Sequence, residues 1–370
     1  HFAPMPALAV EGDEAEADLR PLCAVLQGVV DACGGSRLPR AWGEQFVDLV
    51  LASADDDAPG ARRRLGLAED KVRVHGCRVG GAFGGKTIST VELEAAVLAQ
   101  TLQRPVKVQW TRAQEFLQAF HRPPSSHRVR ARLRDGRLEH WAHDFASSHI
   151  LFTGAVVPAW MQKLTDVIGD DGVARGASLP YRAQARRTGF DLVRLPVHTG
   201  PWRGLGAGPN AFVIESAIDE CARIAGLDPV AFRLQHIEDP RLKRVLEQAV
   251  ATAPAAPAHS KGLLLGRGVA CGIYKKTSYA AVVADVLVDL QSGEVQVKHM
   301  HCAHDCGKVI NPDQVRAQCE GNLVWGLGMV LVESWSASAL NFGDAPIPRI
   351  GQLPTLSVEV VDHGESPSGA

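Results

Sequence analysis

Stretches of period-two and period-3.6 hydrophobicity alternate along this chain, with glycine-rich turns between them. Residues 71–79, KVRVHGCRV, alternate apolar and polar positions as a strand does. Residues 105–112, PVKVQWTR, read as another strand. Residues 127–147, HRVRARLRDGRLEHWAHDFAS, alternate on both sides of Asp135-Gly136, which predicts a β-hairpin turning there. Residues 279–304, YAAVVADVLVDLQSGEVQVKHMHCAH, predict a second hairpin turning at Ser292-Gly293.

The helical period governs other segments. Residues 21–33, PLCAVLQGVVDAC, read as a short helix closed by Gly34-Gly35, and 89–103, STVELEAAVLAQTLQ, as a helix closed before Pro105. In 210–226, Ala211, Ile214, Ile218, Cys221, Ala222 and Ala225 share one face, and Gly226 suits a left-handed cap. Asp228 caps a helix with Pro229 at its first position, and Asn311 with Pro312 does the same for 311–333. Residues 150–200 read as irregular.

These elements predict an α+β fold: two subdomains of mixed, mostly antiparallel sheets with packed helices. At 370 residues the chain is too long for one ordinary core. The first subdomain spans 1–250, with 1–45 its least legible part; ATAPAAPAHSKG at 251–262 is the linker, and the second spans 263–370. The formal net charge of −2 offers no basic surface for nucleic acid. No apolar run reaches membrane-spanning length. The 8 cysteines are scattered, which reads as buried thiols and not as a disulfide framework.

Candidate chemistry begins with GGAFGGKT at 80–87, which fits the phosphate-binding pattern G-x-x-x-x-G-K-[ST] with Lys86 and Thr87. Against a nucleotide hydrolase stand the antiparallel look of the later strands, the apolar Phe83 within the loop, and the lack of a clean metal-holding acidic strand. The nearest acidic strand, VLVDL at 286–290, lies in an alternating hairpin. A plain glycine turn between strand and helix is the bland alternative. A second cluster, GPWRGLGAGPN at 200–210, opens the next long helix and offers G-x-G at Gly204 and Gly206; Pro209 sits where a dinucleotide fingerprint needs its third glycine. Each cluster carries a cation, Lys86 or Arg203, so together they can hold one phosphate-rich ligand from two sides. HMHCAHDCGKVINP at 299–312 is a poor zinc site, because a strand sends Cys302, His304 and Cys306 to one face and His299 and His301 to the other. It reads as a strand end tied by Asp305 and Asn311.

In this order, VGGAFGGK, PVKVQWTR, GPWRGLGAGPNAFVIESAIDECARIAGLDPVAFRL and HDCGKVINPDQVRAQCEGNLVWGLGMVLVE resemble the molybdenum-binding subunits of the xanthine dehydrogenase/aldehyde oxidase superfamily. The second glycine cluster is most like that of the isoquinoline 1-oxidoreductase beta subunits, and the resemblance covers roughly 46–370. It implies a molybdopterin cofactor, in its cytosine dinucleotide form in bacterial members. The metal is then held by the pterin and needs no protein ligand. It further implies hydroxylation of an electron-poor carbon of an N-heterocycle or aldehyde, with oxygen from water and electrons passed to a small iron–sulfur subunit that alone carries the clusters.

By the resemblance, Gly81, Ala82, Phe83 and Gly84 lie against the cofactor, with Phe83 lining the substrate pocket. Arg203 stands near substrate or cofactor, flanked by Gly204 and Gly206, and Gln318 and Gly321 approach the cofactor from the following helix. Each has an ordinary alternative: Phe83 as core, Arg203 as an ion pair with Glu215 or Asp219, Lys86 as a structural contact, Gln318 and Gly321 as helix packing. Two departures stand out. SPSGA at 366–370 matches the lead-in to the family's general-base Glu, which is then expected beyond residue 370, leaving this piece inactive on its own. LASADDDAPG stands where the family has a Gln-containing segment. The chain starts at His1 with no visible signal peptide and reads as a piece of a longer protein. The rivals are a non-catalytic remnant of the same fold and a P-loop nucleotide-binding protein. The hydroxylase reading expects Phe83 to face Arg203 across a cavity; the P-loop reading expects a parallel sheet and an acidic residue beside Lys86 and Thr87.

Overall fold

The computed structural model describes residues 81–364, apart from 86, 88–89, 154–158, 196, 259–261 and 337, together with residue 367 and two earlier strands, β1 (Val47–Leu51) and β2 (Val72–Gly76). The helix expected at 21–33 and the side chain of Lys86 lie outside these residues. β1 and β2 pair in parallel, and the first glycine loop leads into α1 (Thr90–Leu102). Strand, loop and helix therefore follow each other as a phosphate-binding loop would require, although among the described residues this sheet has two strands only.

The strand expected at 105–112 does not form. Residues 105–110 join no ladder, and Thr111 caps α2 (Arg112–Gln118) through a reciprocal capping box with Gln114. Trp110 donates its indole N–H to Glu94 of α1 at 2.7 Å. Trp110 thus serves a contact with a helix, and among the described residues no strand pairs with this segment.

β3 (Ser125–Arg134) and β4 (Arg137–Ser147) form the expected hairpin, with Asp135 and Gly136 at φ 50° and 70° in the turn. The region read as irregular holds α3 (Ala159–Ile168), α4 (Asp171–Ala174) and β5 (Ala185–Leu192), which pairs in parallel with β4 at the sheet edge. The first four residues of β5 are exposed and its fifth is glycine, so it carries no alternation to read.

α5 (Ala207–Ala225) buries Ile214, Ile218, Cys221 and Ala222 as its periodicity requires, and ends at Gly226 with φ 68°. Asp228 and Asp239 each accept two backbone N–H bonds to start α6 (Pro229–His236) and α7 (Pro240–Thr252), each with proline in its first turn. The helix α7 takes in the first two residues of the expected linker.

The last sheet has the order β6 (Leu263–Tyr274), β7 (Ser278–Asp289), β8 (Val295–Asp305), β9 (Thr355–Val360). The first two pairings are antiparallel; β8 and β9 run parallel because α8 (Pro312–Leu331) carries the chain back between them. The three longest ladders of the fold are antiparallel, in a mixed α+β architecture.

One hydrophobic cluster joins Trp141 of β4, Ile214 and Ile218 of α5, Leu242 and Leu246 of α7, and Val283 and Ala303 of the last sheet. Each such large side chain contributes about 1.5–3 kcal/mol on burial. A buried polar knot crosses the same core. Arg233 donates to Glu215 at 3.0 Å and to Asp219 at 2.6 Å, while the Tyr181 hydroxyl and the Cys271 amide each donate to Glu215 at 2.8 Å. Glu215 and Asp219 are thus the partners of Arg233 and not of Arg203.

Candidate functional site

The two glycine loops meet. The Arg203 amide donates to the Phe83 carbonyl at 2.8 Å. At Gly84 a Cβ would fall 2.4 Å from the Pro201 carbonyl oxygen, and φ is 105°, so the approach admits glycine alone. Phe83 and Leu205, both at φ 53°, are non-glycine residues held in the left-handed region, each beside a glycine of positive φ, Gly84 and Gly204. Such conformations cost about 1–3 kcal/mol and cluster at functional positions.

The Arg203 side chain extends from this junction. It donates to Oε1 of Gln318 on α8 at 2.7 Å, and its guanidinium carbon sits 5.7 Å from the centre of the Phe83 ring and 5.9 Å from that of Trp325. Trp325 meets Phe83 edge-on at 4.8 Å and Trp202 at 5.7 Å. Phe83 is half exposed, so the cluster has an open face. Burial pulls the Arg203 pKa below the usual arginine range, opposed by the nearby Cys319 thiol. Phe83 and Arg203 therefore touch directly, with no cavity between them.

The structure brings Gly81, Ala82, Phe83 and Gly84 together with Arg203, Gly204, Gly206 and Gln318. Gly206 is packed from behind: a Cβ would lie 2.2 Å from the Val173 carbonyl oxygen, and its amide donates to Gly172 at 2.9 Å. Gly321 lies further along α8 with open space where a Cβ would be.

Sequence reasoning missed Arg122, Trp202 and Trp325. Arg122 donates to the carbonyls of Leu205 at 2.6 Å and Arg203 at 2.8 Å, and lies over the Trp202 ring at 5.6 Å. It clamps the turn that carries Arg203. Burial lowers its pKa, with the Glu333 carboxylate opposing. Both tryptophans lie within the motifs that carry the family resemblance, whereas Arg122 has no local signal, since its partners are more than 80 residues away.

Next to this clamp lies a small pocket whose walls include Arg122, His127, Phe145, Leu205, Gly206 and Asn210, but not Phe83, Arg203 or Gln318. A hydrogen-bonded chain runs along one wall, from Ser125 to His127 at 2.8 Å and from His127 to His143 at 2.9 Å. Burial, reinforced by His143, pulls His127 down to about 4.

The segment 299–312 behaves as a strand end. His301 bonds Thr252 at 2.8 Å and Ser357 at 2.7 Å; Asp305 accepts from Arg241 and from the Gly307 amide. Asn311 caps α8. Among the described residues no group of three or more His, Cys, Asp or Glu side chains converges as metal ligands would.

Residues 60–237 and 237–354 match two family models, each described as a molybdopterin cofactor-binding domain. The chain is 32% identical over 334 residues to a nicotinate dehydrogenase subunit of Pseudomonas putida, a match covering 81% of this chain and 27% of that protein. It is 27% identical to the beta subunit of isoquinoline 1-oxidoreductase from Brevundimonas diminuta, covering 98% of this chain and 46% of that one. The chain thus spans less than half the length of these curated relatives. Its fold matches quinoline 2-oxidoreductase from Pseudomonas putida 86 with a TM-score of 0.72 at 14% identity, over 87% of this chain and 66% of that one.

Proposed function

The chain belongs to the molybdenum-binding subunits of the xanthine dehydrogenase/aldehyde oxidase superfamily, and from that premise we propose that the Phe83–Arg203–Gln318 junction is where it holds molybdopterin beside an N-heterocyclic or aldehyde substrate. The observation that carries the reading is the meeting of two glycine loops and α8 around one guanidinium. Phe83 and Arg203 come from the first expected subdomain and Gln318 from the second, so the cofactor would lie between 1–250 and 263–370.

The residues fit such a group. Gly204 has no atom within 4 Å of an added Cβ and a φ of 80°, leaving open backbone beside a cation, as an anionic pterin phosphate requires. Gly81, Ala82 and Gly84 would meet the cofactor from the first loop, and Gly321 leaves room along α8. When bound, the cofactor supplies a metal that makes water nucleophilic near neutral pH and takes up the electrons of the oxidation.

This chain's residues do the rest. Arg203, oriented by Gln318, binds a substrate or cofactor oxygen and stabilises negative charge that develops there. The Phe83 ring, steadied by Trp325, offers a face to a flat heteroaromatic and excludes water from it. Arg122 keeps the Arg203 turn in register. The names of the relatives, dehydrogenases and oxidoreductases of nicotinate, isoquinoline and quinoline, favour an N-heterocycle. Two relatives are named as subunits, which favours a separate small iron–sulfur partner; the cofactor would be the cytosine dinucleotide form.

The test is metal and pterin analysis of the full-length subunit co-produced with its neighbouring iron–sulfur subunit. Near-stoichiometric molybdenum with a releasable pterin cytosine dinucleotide is expected. A well-folded complex without molybdenum, from a host that loads a control enzyme, would overturn the reading. Molybdenum uptake without turnover of any heterocycle or aldehyde is what a non-catalytic remnant would give.

A further inference from the structure

The β3–β4–β5 sheet has two unlike faces. Val129 and Leu133 of β3 and Trp141 of β4 turn into the main hydrophobic cluster. Alternation then sends Arg128, Arg130, Arg132 and Arg134 to the opposite face, where all four are exposed. Register sets Arg187 of β5 across Ala142 from Arg130. The carboxylates nearest this row are each held by two guanidinium groups: Glu139 by Arg132 at 2.8 Å and Arg134 at 2.9 Å, Asp144 by Arg187 at 2.7 Å and Arg130 at 3.1 Å. The Glu139 side chain is 6% exposed and those four arginines 60–63%, so the face presents guanidinium. Arg128 has no partner among the described residues. The three strands carry seven arginines against three carboxylates, while the whole chain has a formal net charge of −2. Positive charge is therefore gathered on this sheet.

Along β3 the arginines recur at every second residue, about 6.6–6.8 Å apart. Residues 11–18 of the same chain read EGDEAEAD, rich in acids and free of lysine and arginine. Glu14, Glu16 and Asp18 recur with the same period, separated by alanines. We propose that the acidic segment 11–18 docks on this face, with its alternate carboxylates laid along the arginine row of β3. Planar guanidinium groups suit carboxylates, which they grip with two parallel hydrogen bonds. Residues 19–46 join the segment to β1; a chain of that length spans roughly 90 Å when extended, so reach sets no limit. Single exposed ion pairs contribute little, so docking depends on several acting in register and weakens with salt.

Other occupants suit the face less. Ala142 and Ala185 stand between the arginines, giving neither an aromatic platform for nucleobases nor an apolar anchor for a lipid layer. A second copy would set arginine against arginine. The acidic run Asp55–Asp57 is contiguous, and an extended chain would turn Asp56 away from its neighbours. The inference is independent of the function proposed above.

The test places the photo-crosslinking residue p-benzoylphenylalanine at Ala15 of the full-length chain, irradiates it and maps the peptides. Cross-links into 125–147 or 185–192 are expected. Their yield should fall about tenfold or more in Arg128→Glu/Arg130→Glu, since like charges then face each other, and return when Glu14→Arg/Glu16→Arg is added. It should fall likewise as salt rises from about 0.1 M to about 1 M, where screening shortens from about 10 Å to about 3 Å. Cross-links only outside the sheet, none at all, or a yield that neither charge reversal nor salt changes would overturn the proposal. So would sheet cross-links from a probe at Ala58 in place of Ala15, which assign the face to Asp55–Asp57. Cross-links between two chains, seen by mixing isotopically light and heavy protein, assign it to a second copy with the same consequence. If the double arginine variant fails to fold, the salt series on the unreversed face still decides. None of these readouts depends on molybdenum loading.

Discussion

The Arg203 guanidinium donates to the Gln318 side-chain oxygen at 2.7 Å, joining positions 115 residues apart. With its place over the Phe83 ring, one cation links the two glycine loops to α8. Because Arg203 lies at the surface of the junction, Arg203→Ala should leave the unfolding midpoint nearly unchanged. Turnover by the loaded enzyme should fall by about 10²–10³, the usual cost of losing one charge-stabilising donor. Arg203→Lys should not restore it, since an ammonium cannot keep the planar donor geometry and the ring contact together. Steady-state kinetics beside thermal melts check this.

Gly84→Ala should be far more damaging than Gly204→Ala. Its Cβ would fall 2.4 Å from the Pro201 carbonyl oxygen at φ 105°, whereas Gly204→Ala meets open space and only the strain of φ 80°. Urea unfolding should give a loss of at least ~1–3 kcal/mol at Gly84, in line with strained backbone costs, and a smaller loss at Gly204.

Arg122→Leu removes the donors to the Arg203 and Leu205 carbonyls. Unsatisfied buried acceptors cost about 1–3 kcal/mol. The variant should lose stability on that scale and alter the emission of Trp202, whose ring Arg122 covers. Equal stability and emission to wild type would remove Arg122 from the clamp.

Arg233 is fully buried between Glu215 and Asp219, so Glu215→Leu leaves its charge with the partly exposed Asp219 alone and strips the Tyr181 hydroxyl and the Cys271 amide of their acceptor. A loss of about 3–5 kcal/mol is expected from breaking such a pair, measured by denaturant unfolding. Pairing it with Arg233→Met should recover much of the loss, because two apolar groups leave no buried charge.

His127 sets a pH dependence. Burial and then His143 hold it at about 4 in the folded chain, against 6.5 for a free histidine. Between those values the unfolded chain binds a proton that the folded chain does not, so stability falls as pH drops from 6.5 toward 4 and levels off below. Burial lowers His143, His236, His301 and His304 in the same direction. Melting temperature against pH should show this slope, reduced in His127→Gln; an unchanged slope would clear His127 of the effect.

Much of the fold was legible because its signals are local. The Asp135-Gly136 turn, the Asp228-Pro229 and Asn311-Pro312 starts and the Gly226 stop each fit within a few residues. Asp239-Pro240 carries the same helix-start signal, and the structure shows the helix that follows it. PVKVQWTR misleads because alternation marks side chains facing two ways, and Trp110 spends its direction on a helix. β5, with exposed arginines on an edge, offers no period at all. At the site, the glycine loops and Arg203 were legible as motifs, while Arg122 was not.

The sequence by itself determined which segments turn, cap and alternate, and that two glycine loops each precede a helix, because steric and hydrogen-bonding rules act over one or two turns of chain. Only the tertiary structure decided partners. Arg203 went to Gln318 and left Glu215 to Arg233, and Arg122 found two carbonyls more than 80 residues away. Those choices depend on how sheets and helices close around a shared core, where a donor meets whichever acceptor the packing brings within about 3 Å.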